Sequence, residues 1–304
     1  MLSLGATLKK LRLARGMTQA DLYGGIVSRS FAGRLERGEH DVTVETFWAI
    51  LDRLAVSADE FRFLQQEDHP SDALRLEGQI GTAYSQQNFP WLRHLVQRYQ
   101  TSTDPQEREL ATVADLALRS FGSASWTPTP AMLALWQHFN QLTTWGLHEL
   151  RLGTAWLEIA QGQHQPAVLW AGIQKMHASC ARYVSPTADP FHVTDLRASF
   201  DLVAMQILLL GQVQFRPYRT YAQTLYRALK AYDRWHLSTD AALSREICLC
   251  LWDWYDGDVA AADRRAATLE NLPPLSASLN THAILTSHRR HALRQRQKRG
   301  DSHA

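Results

Sequence analysis

The chain has little of what would place it in several large protein classes. It holds three cysteines in 304 residues, Cys180, Cys248 and Cys250. A sparse, odd set without metal-ligand spacing excludes a disulfide scaffold and points to a reducing compartment. No run of 18 apolar residues occurs, so no membrane contact is expected. Sixteen glycines and 11 prolines are too few for a collagen-like or low-complexity chain. The opening stretch, MLSLGATLKKLRLARG, sets its lysines and arginines inside a helical pattern, and no targeting segment is expected. Enzyme signatures are missing too. There is no Walker sequence, no dinucleotide glycine fingerprint, no His-Glu-x-x-His and no Gly-x-Ser-x-Gly. Asp253, Asp256 and Asp258 lack the spacing of a calcium loop and read as a solvated helix end. The expectation is a cytoplasmic protein that is not an enzyme and has no cofactor and no metal.

What is present is ordinary globular composition, 45% hydrophobic and 20% charged, at a length that fits about two domains. The net charge of +2 conceals an asymmetry. Residues 1–40 carry seven Lys/Arg against three Asp/Glu, residues 284–304 six against one, and the stretch between them 19 against 26. A basic head on an acidic body suits a chain of which one module meets polyanions.

Residues 1–66 read as five short helices. The first runs from Leu4 to Ala14 with Leu4, Leu8 and Leu11 on one face and Gly16 placed for a left-handed cap. Thr18 and Asp21 form a capping box, Gly24 and Gly25 a tight turn, Ser28 a cap for RSFAGRLER, and Gly38 its stop. Thr43 caps VETFWAILDRL, and Ser57 with Glu60 repeats the capping box before DEFRFLQ. QQEDHPSD reads as a linker, assigned to 67–72. Beyond it, ten helical blocks follow, at 72–87, 90–101, 105–121, 129–139, 141–161, 166–184, 189–211, 217–235, 239–256 and 258–271. The fold class is therefore all-α: a five-helix head, then an α-solenoid of degenerate tetratricopeptide-like hairpins over 73–284, with an irregular bundle as the alternative. Residues 285–304 read as a basic C-terminal tail, a frayed helix or a second phosphate contact.

The strongest signal is VSRSFAGRLERGEHD at 27–41. The second helix of a helix-turn-helix shows small polar and basic side chains to base edges and buries apolar ones against its partner. Ala32 and Leu35 face inward with Val27, while Arg29, Ser30, Gly33 and Arg34 face outward. Arg29 and Arg34 suit guanine O6 and N7, Ser30 either kind of edge, and Phe31 a thymine methyl. Arg12, Arg15, Gln19 and Arg37 are the expected phosphate contacts. One recognition helix reads only a few base pairs, so a homodimer on a pseudo-palindromic double-stranded operator is expected.

TQADLYGGIVSRSFAGRLERGE resembles the xenobiotic-response-element (XRE) type of helix-turn-helix. With LGATLKKLRLARGMTQ and FWAILDRLAVSADEF, the head is more specifically similar to the Rgg/MutR (Rgg/GadR/MutR) transcriptional regulators of Gram-positive bacteria. That resemblance implies a helical repeat domain that binds a short, hydrophobic, imported peptide, and a homodimer, with RNA polymerase as a further candidate partner. It also implies a bacterial cytoplasm. TWGLHELRLGTAWLEI at 144–159 resembles a family segment that usually carries Tyr where His148 stands and Asn near Ala155, an asparagine that helps hold peptide backbone in related receptors. Some members carry a dimer-linking cysteine near Val44; this chain has none there.

Five of the ten tryptophans fall between 126 and 170. They are either packing between helices or the lining of a peptide groove. Trp145, His148, Arg151, Trp156 and Gln161 are the candidate ligand residues, Arg151 as partner for a peptide carboxylate or else for Glu149. The competing reading is a DNA-binding repressor or antitoxin-like protein whose body docks a protein partner without any small ligand.

Overall fold

Five hydroxyl side chains start the first five helices. Ser3, Thr18, Ser28, Thr43 and Ser57 each hold extended backbone and accept a hydrogen bond from the N–H three residues on. Each satisfies an orphan donor, an interaction worth about 1 kcal/mol. The helices so begun are α1 (Leu4–Ala14), α2 (Gln19–Tyr23), α3 (Arg29–Glu36), α4 (Val44–Leu54) and α5 (Ala58–Gln65). Thr18 closes its capping box with Asp21, whereas at Ser57 only the forward bond forms. The computed structural model describes residues 2–67, 69, 72–120, 126–231, 237–272 and 281–300. Half of the expected linker at 67–72, positions 68, 70 and 71, lies outside these residues. Among them there is no strand, only an isolated bridge between Ser185 and Ala188.

The chain divides into two compact units, Met1–Ile80 and Gly81–Ala304. In the first, Leu8, Leu22, Ala32, Leu35, Ile50 and Leu54 are fully buried and form one core. Gly5 permits the closest contact within it. A Cβ there would lie 1.7 Å from the Leu35 carbonyl oxygen, so α1 and α3 meet backbone to backbone.

Helix α6 (Asp72–Ser85) crosses the division. The second unit continues with α7 (Phe89–Tyr99), α8 (Pro105–Ser120), α9 (Pro130–Gln141), α10 (Leu147–Arg151), α11 (Gly153–Gly162) and α12 (Pro166–Cys180). It ends with α13 (Val193–Gly211), α14 (Arg216–Ala231), α15 (Thr239–Asp256), α16 (Val259–Glu270) and α17 (Thr281–Arg299). Proline opens α8, α9 and α12, where its missing N–H removes no helical bond. The helices pack as successive hairpins: α7 on α8, α9 on α11, α12 on α13, α14 on α15, and α16 on α17. Helix α15 is buried around most of its circumference and touches α13, α14, α16 and α17.

Two expectations are corrected. The block expected at 141–161 is not one helix. Leu142 turns to extended backbone, and α10 and α11 follow, separated at Leu152. The expected basic tail is not frayed over its described part. Leu285, His288, Ala292 and Gln295 of α17 are buried at helical spacing against the body. Its cations also have work at the end of α15. Arg296 donates to the carbonyls of Trp254, Tyr255 and Gly257, and Arg299 to the Tyr255 carbonyl and to Asp256. They satisfy the orphan acceptors at the negative end of that helix.

Candidate nucleic-acid and ligand sites

Helix α3 has one buried side and one open side. Ala32 and Leu35 are fully buried, while Arg29, Ser30 and Arg34 are exposed and Val27 and Gly33 half-buried. Phe31 is half-buried, stacked on His40 with ring centroids 5.6 Å apart. Ser30 Oγ lies 3.3 Å from Ser28 Oγ, so its hydroxyl stands beside the cap at the start of the helix. Among the described residues, no hydrogen bond or ion pair holds the guanidinium of Arg29 or Arg34. The preceding helix, α2, crosses behind, and the turn between them passes through Gly25 at φ +77°.

The expected phosphate contacts separate into two groups. Arg15 is exposed at the end of α1, and Arg37 is exposed but shares Glu39 at 2.6 and 3.0 Å. Arg12 is buried, and its assignment as a phosphate contact is withdrawn. Its Nε and Nη2 donate to the two Glu36 oxygens at 2.6 and 2.9 Å, and its Nη1 to the Met17 carbonyl at 2.8 Å. Gln19 is also turned inward, its Nε2 donating to Glu36 Oε2 at 2.8 Å. This clamp ties α1, α2 and the end of α3 together. Burial pushes the Glu36 carboxyl up, but hydrogen bonds from Arg12 and Gln19 outweigh it and hold the group below its ordinary range. The buried Tyr23 phenol beside it is driven well above its ordinary range, first by burial and then by the Glu36 charge.

Residues 8–61 match the helix-turn-helix family. Here the helix-turn-helix is the α1–α5 head, with α3 as its second, outward-facing helix. No curated protein matches the chain in sequence. Among solved structures, the chain is similar to the SHP pheromone receptor Rgg2 of Streptococcus dysgalactiae, 17% identical, with 96% of this chain and 100% of that one covered at a TM-score of 0.68. PrgX, solved as its iCF10 complex, is 15% identical with 98% of each chain covered at 0.64. PlcR of Bacillus thuringiensis, solved with the peptide PapR7 and DNA, is 15% identical with 95% and 99% covered at 0.60. The whole chain therefore has the fold of these proteins, here a helix-turn-helix followed by stacked helical hairpins.

In the body, two of the five clustered tryptophans are core. Trp145 and Trp156 are fully buried, edge to face at 5.4 Å, with Phe139 and Phe200 completing the cluster. Their indole N–H groups are used internally, Trp145 on the Phe139 carbonyl and Trp156 on Asn140 Oδ1. His148, Arg151 and Gln161 are exposed, and His148 Nε2 lies 2.9 Å from Glu109. These five residues do not converge on one site.

A different set does converge. Trp136, Gln137, Asn140 and Gln141 of α9 face Val168, Ala171 and Lys175 of α12 across an open groove of about 560 Å³. The Trp136 Nε1 is buried away from solvent without a hydrogen-bond partner among the described residues. Asn140 gives its oxygen to Trp156. Lys175 donates to the carbonyls of Phe139, Asn140 and Leu142, at the C-terminal end of α9. Amides one turn apart in LWQHFNQ, at positions 137, 140 and 141, carried this signal in the sequence.

Proposed function

We propose that the chain is a peptide-sensing, DNA-binding transcriptional regulator of the Rgg/MutR kind. Residues 1–66 act as the DNA-binding domain and residues 73–284 as the sensing and dimerisation domain. The observation that carries the reading is the open face of α3, where Arg29, Ser30 and Arg34 project above the buried Ala32 and Leu35. Arg29 and Arg34 read base edges of a pseudo-palindromic operator, and Phe31 offers its free ring edge to a thymine methyl. Arg15 and Arg37 hold phosphates. The protein binds as a homodimer, since one such helix specifies too little sequence.

The ligand is a short, mostly apolar peptide lying in the α9/α12 groove. Its backbone meets the amides of Gln137, Asn140 and Gln141, and its side chains meet the apolar wall of Val168 and Ala171. Asn140 here does the work that the resemblance places near residue 155. Rgg2, PrgX and PlcR, whose fold this chain has, are known with a pheromone or peptide as ligand, which supports the reading. The peptide is imported, and the chain works in a bacterial cytoplasm.

Footprinting tests the DNA half. Arg29→Ala or Arg34→Ala costs about 1–3 kcal/mol and relaxes specificity at one base pair. Arg15→Ala weakens all duplexes alike and lowers the salt slope by about one. Unchanged footprints for all three sink the assignment. For the sensing half, short hydrophobic peptides shift tryptophan emission saturably in the parent chain and not in Asn140→Ala.

A further inference from the structure

A second groove, of about 700 Å³, runs between α16 and α17. Its base is closed by the buried side chains of Trp254, Ala266 and Leu285, and its open apolar surface is Ala267 with the half-buried Leu293. Helix α17 carries five arginines and one lysine and no acidic residue. Arg296 and Arg299 are spent on the end of α15, and Arg289 is held in two bonds by Asp263, at 2.8 and 3.0 Å. Trp254 Nε1 also donates to Asp263 at 2.8 Å, so that carboxylate is fixed in the wall. Lys298 is not on the lining, and Arg290 and Arg294 remain. They are exposed, one helical turn apart, line the groove, and have no carboxylate partner among the described residues. The other charge on the lining, Glu270, lies 3.5 Å from His282 on α17.

We infer that this groove docks an acidic amphipathic helix of a protein partner. Two cations one turn apart beside an apolar trough match a helix with carboxylates at i and i+4 on the flank of an apolar stripe. The apolar side chains of such a helix cover Ala267 and Leu293, and its carboxylates compensate Arg290 and Arg294 at the rim. A nucleic-acid backbone matches less well, because phosphate leaves the apolar floor uncovered and the one cation held rigid by the wall, Arg289, is already neutralised. The surface lies on the last hairpin of the body, on helices other than those of the α9/α12 groove, so both can be occupied together.

The test uses the full chain and a short fluorescein-labelled helical peptide with glutamates at i and i+4 flanking a leucine stripe. Anisotropy is expected to report saturable, salt-sensitive binding. Arg290→Glu with Arg294→Glu weakens it about tenfold. A peptide with lysines in place of the glutamates reverses that preference and favours the doubly substituted chain. Replacing the peptide leucines by serine weakens binding to the parent about tenfold as well, since the floor is then left wet. Circular dichroism shows that the double variant keeps its helix content. Equal affinity for parent and double variant, or for leucine and serine peptides, overturns the proposal. So does a double variant that keeps peptide binding and loses duplex DNA, which assigns the face to nucleic acid, or one that keeps peptide binding and turns monomeric, which assigns it to a second copy.

Discussion

Removing the Arg12 guanidinium tests whether the head is held by the clamp that joins its first three helices. The parent pair is nearly dry, with Arg12 8% and Glu36 6% exposed. In Arg12→Ala, Glu36 keeps its bond from Gln19 and loses two charge-assisted bonds and the compensating charge. Breaking one side of a buried pair costs about 3–5 kcal/mol, and the surviving Gln19 bond places this case near about 3. The pH dependence gives a second handle. In the parent, Glu36 is held below its ordinary 4.5, so its stabilisation is present above that value and is lost as pH falls through the lowered one. In Arg12→Ala, burial acts alone and raises the carboxyl, so the cost is largest near neutrality and is relieved once the group protonates. Urea unfolding, with hydrogen exchange of the α1 and α3 amides to read the head separately, should show a gap that narrows as pH falls, first through the variant's raised carboxyl value and then, below about 4.5, through the parent's lowered one. Joint replacement of Arg12 and Glu36 by methionine should recover most of the loss. A gap under about 1 kcal/mol, the worth of a solvated surface pair, or a gap independent of pH, refutes the reasoning.

Two further perturbations concern the body. A Cβ on Gly172 would meet Trp156 Cη2 at 1.9 Å, so Gly172→Ala forces α12 off α11 and costs about 3 kcal/mol, read as a lowered Tm. An unchanged Tm means that the two helices are not packed this closely. His288 is buried against Tyr255, and burial pulls its pKa from 6.5 down to about 4. Between those values the unfolded chain holds a proton that the folded chain refuses. Stability therefore falls as pH drops below about 6.5, by up to about 1.4 kcal/mol per pH unit, and His288→Asn flattens that slope in urea titrations. A slope equal in parent and variant removes His288 as its source.

Local chemistry was legible in the sequence, and long-range pairing was not. Helix α1 begins and ends where Leu4, Leu8, Leu11 and Gly16 place it, because apolar spacing and a cap act over a few residues. The caps at Thr18, Ser28 and Thr43 read off equally well, each bond spanning three residues. Arg12 joins Glu36 across 24 positions, and nothing in either local pattern distinguishes a buried arginine from a phosphate-facing one. For a related reason the sequence left the tryptophans open between packing and a groove. Burial of Trp156 is decided by Gly172 on the next helix, which leaves room for its ring. The turn at 142–146 contains neither glycine nor proline before Gly146, so a pattern-based reading runs through it. Basic composition at 289–299 suggested solvent, yet Arg296 and Arg299 satisfy carbonyls that lie 39–44 positions away.

Helix α15 has a consequence for how such a body can change over evolutionary time. In an open array each hairpin touches only its neighbours, so units can be duplicated, lost or exchanged without disturbing distant ones. Here one helix is shared by α13, α14, α16 and α17, and Arg245 and Asp253 are locked inside it by bonds to Leu229 and Arg265. Deleting or inserting a hairpin on either side would strip one flank of that helix and leave its charged groups without partners. The modular growth open to other repeat proteins is closed at this end of the chain. Diversification there is confined to side chains on the outer faces of the last hairpins.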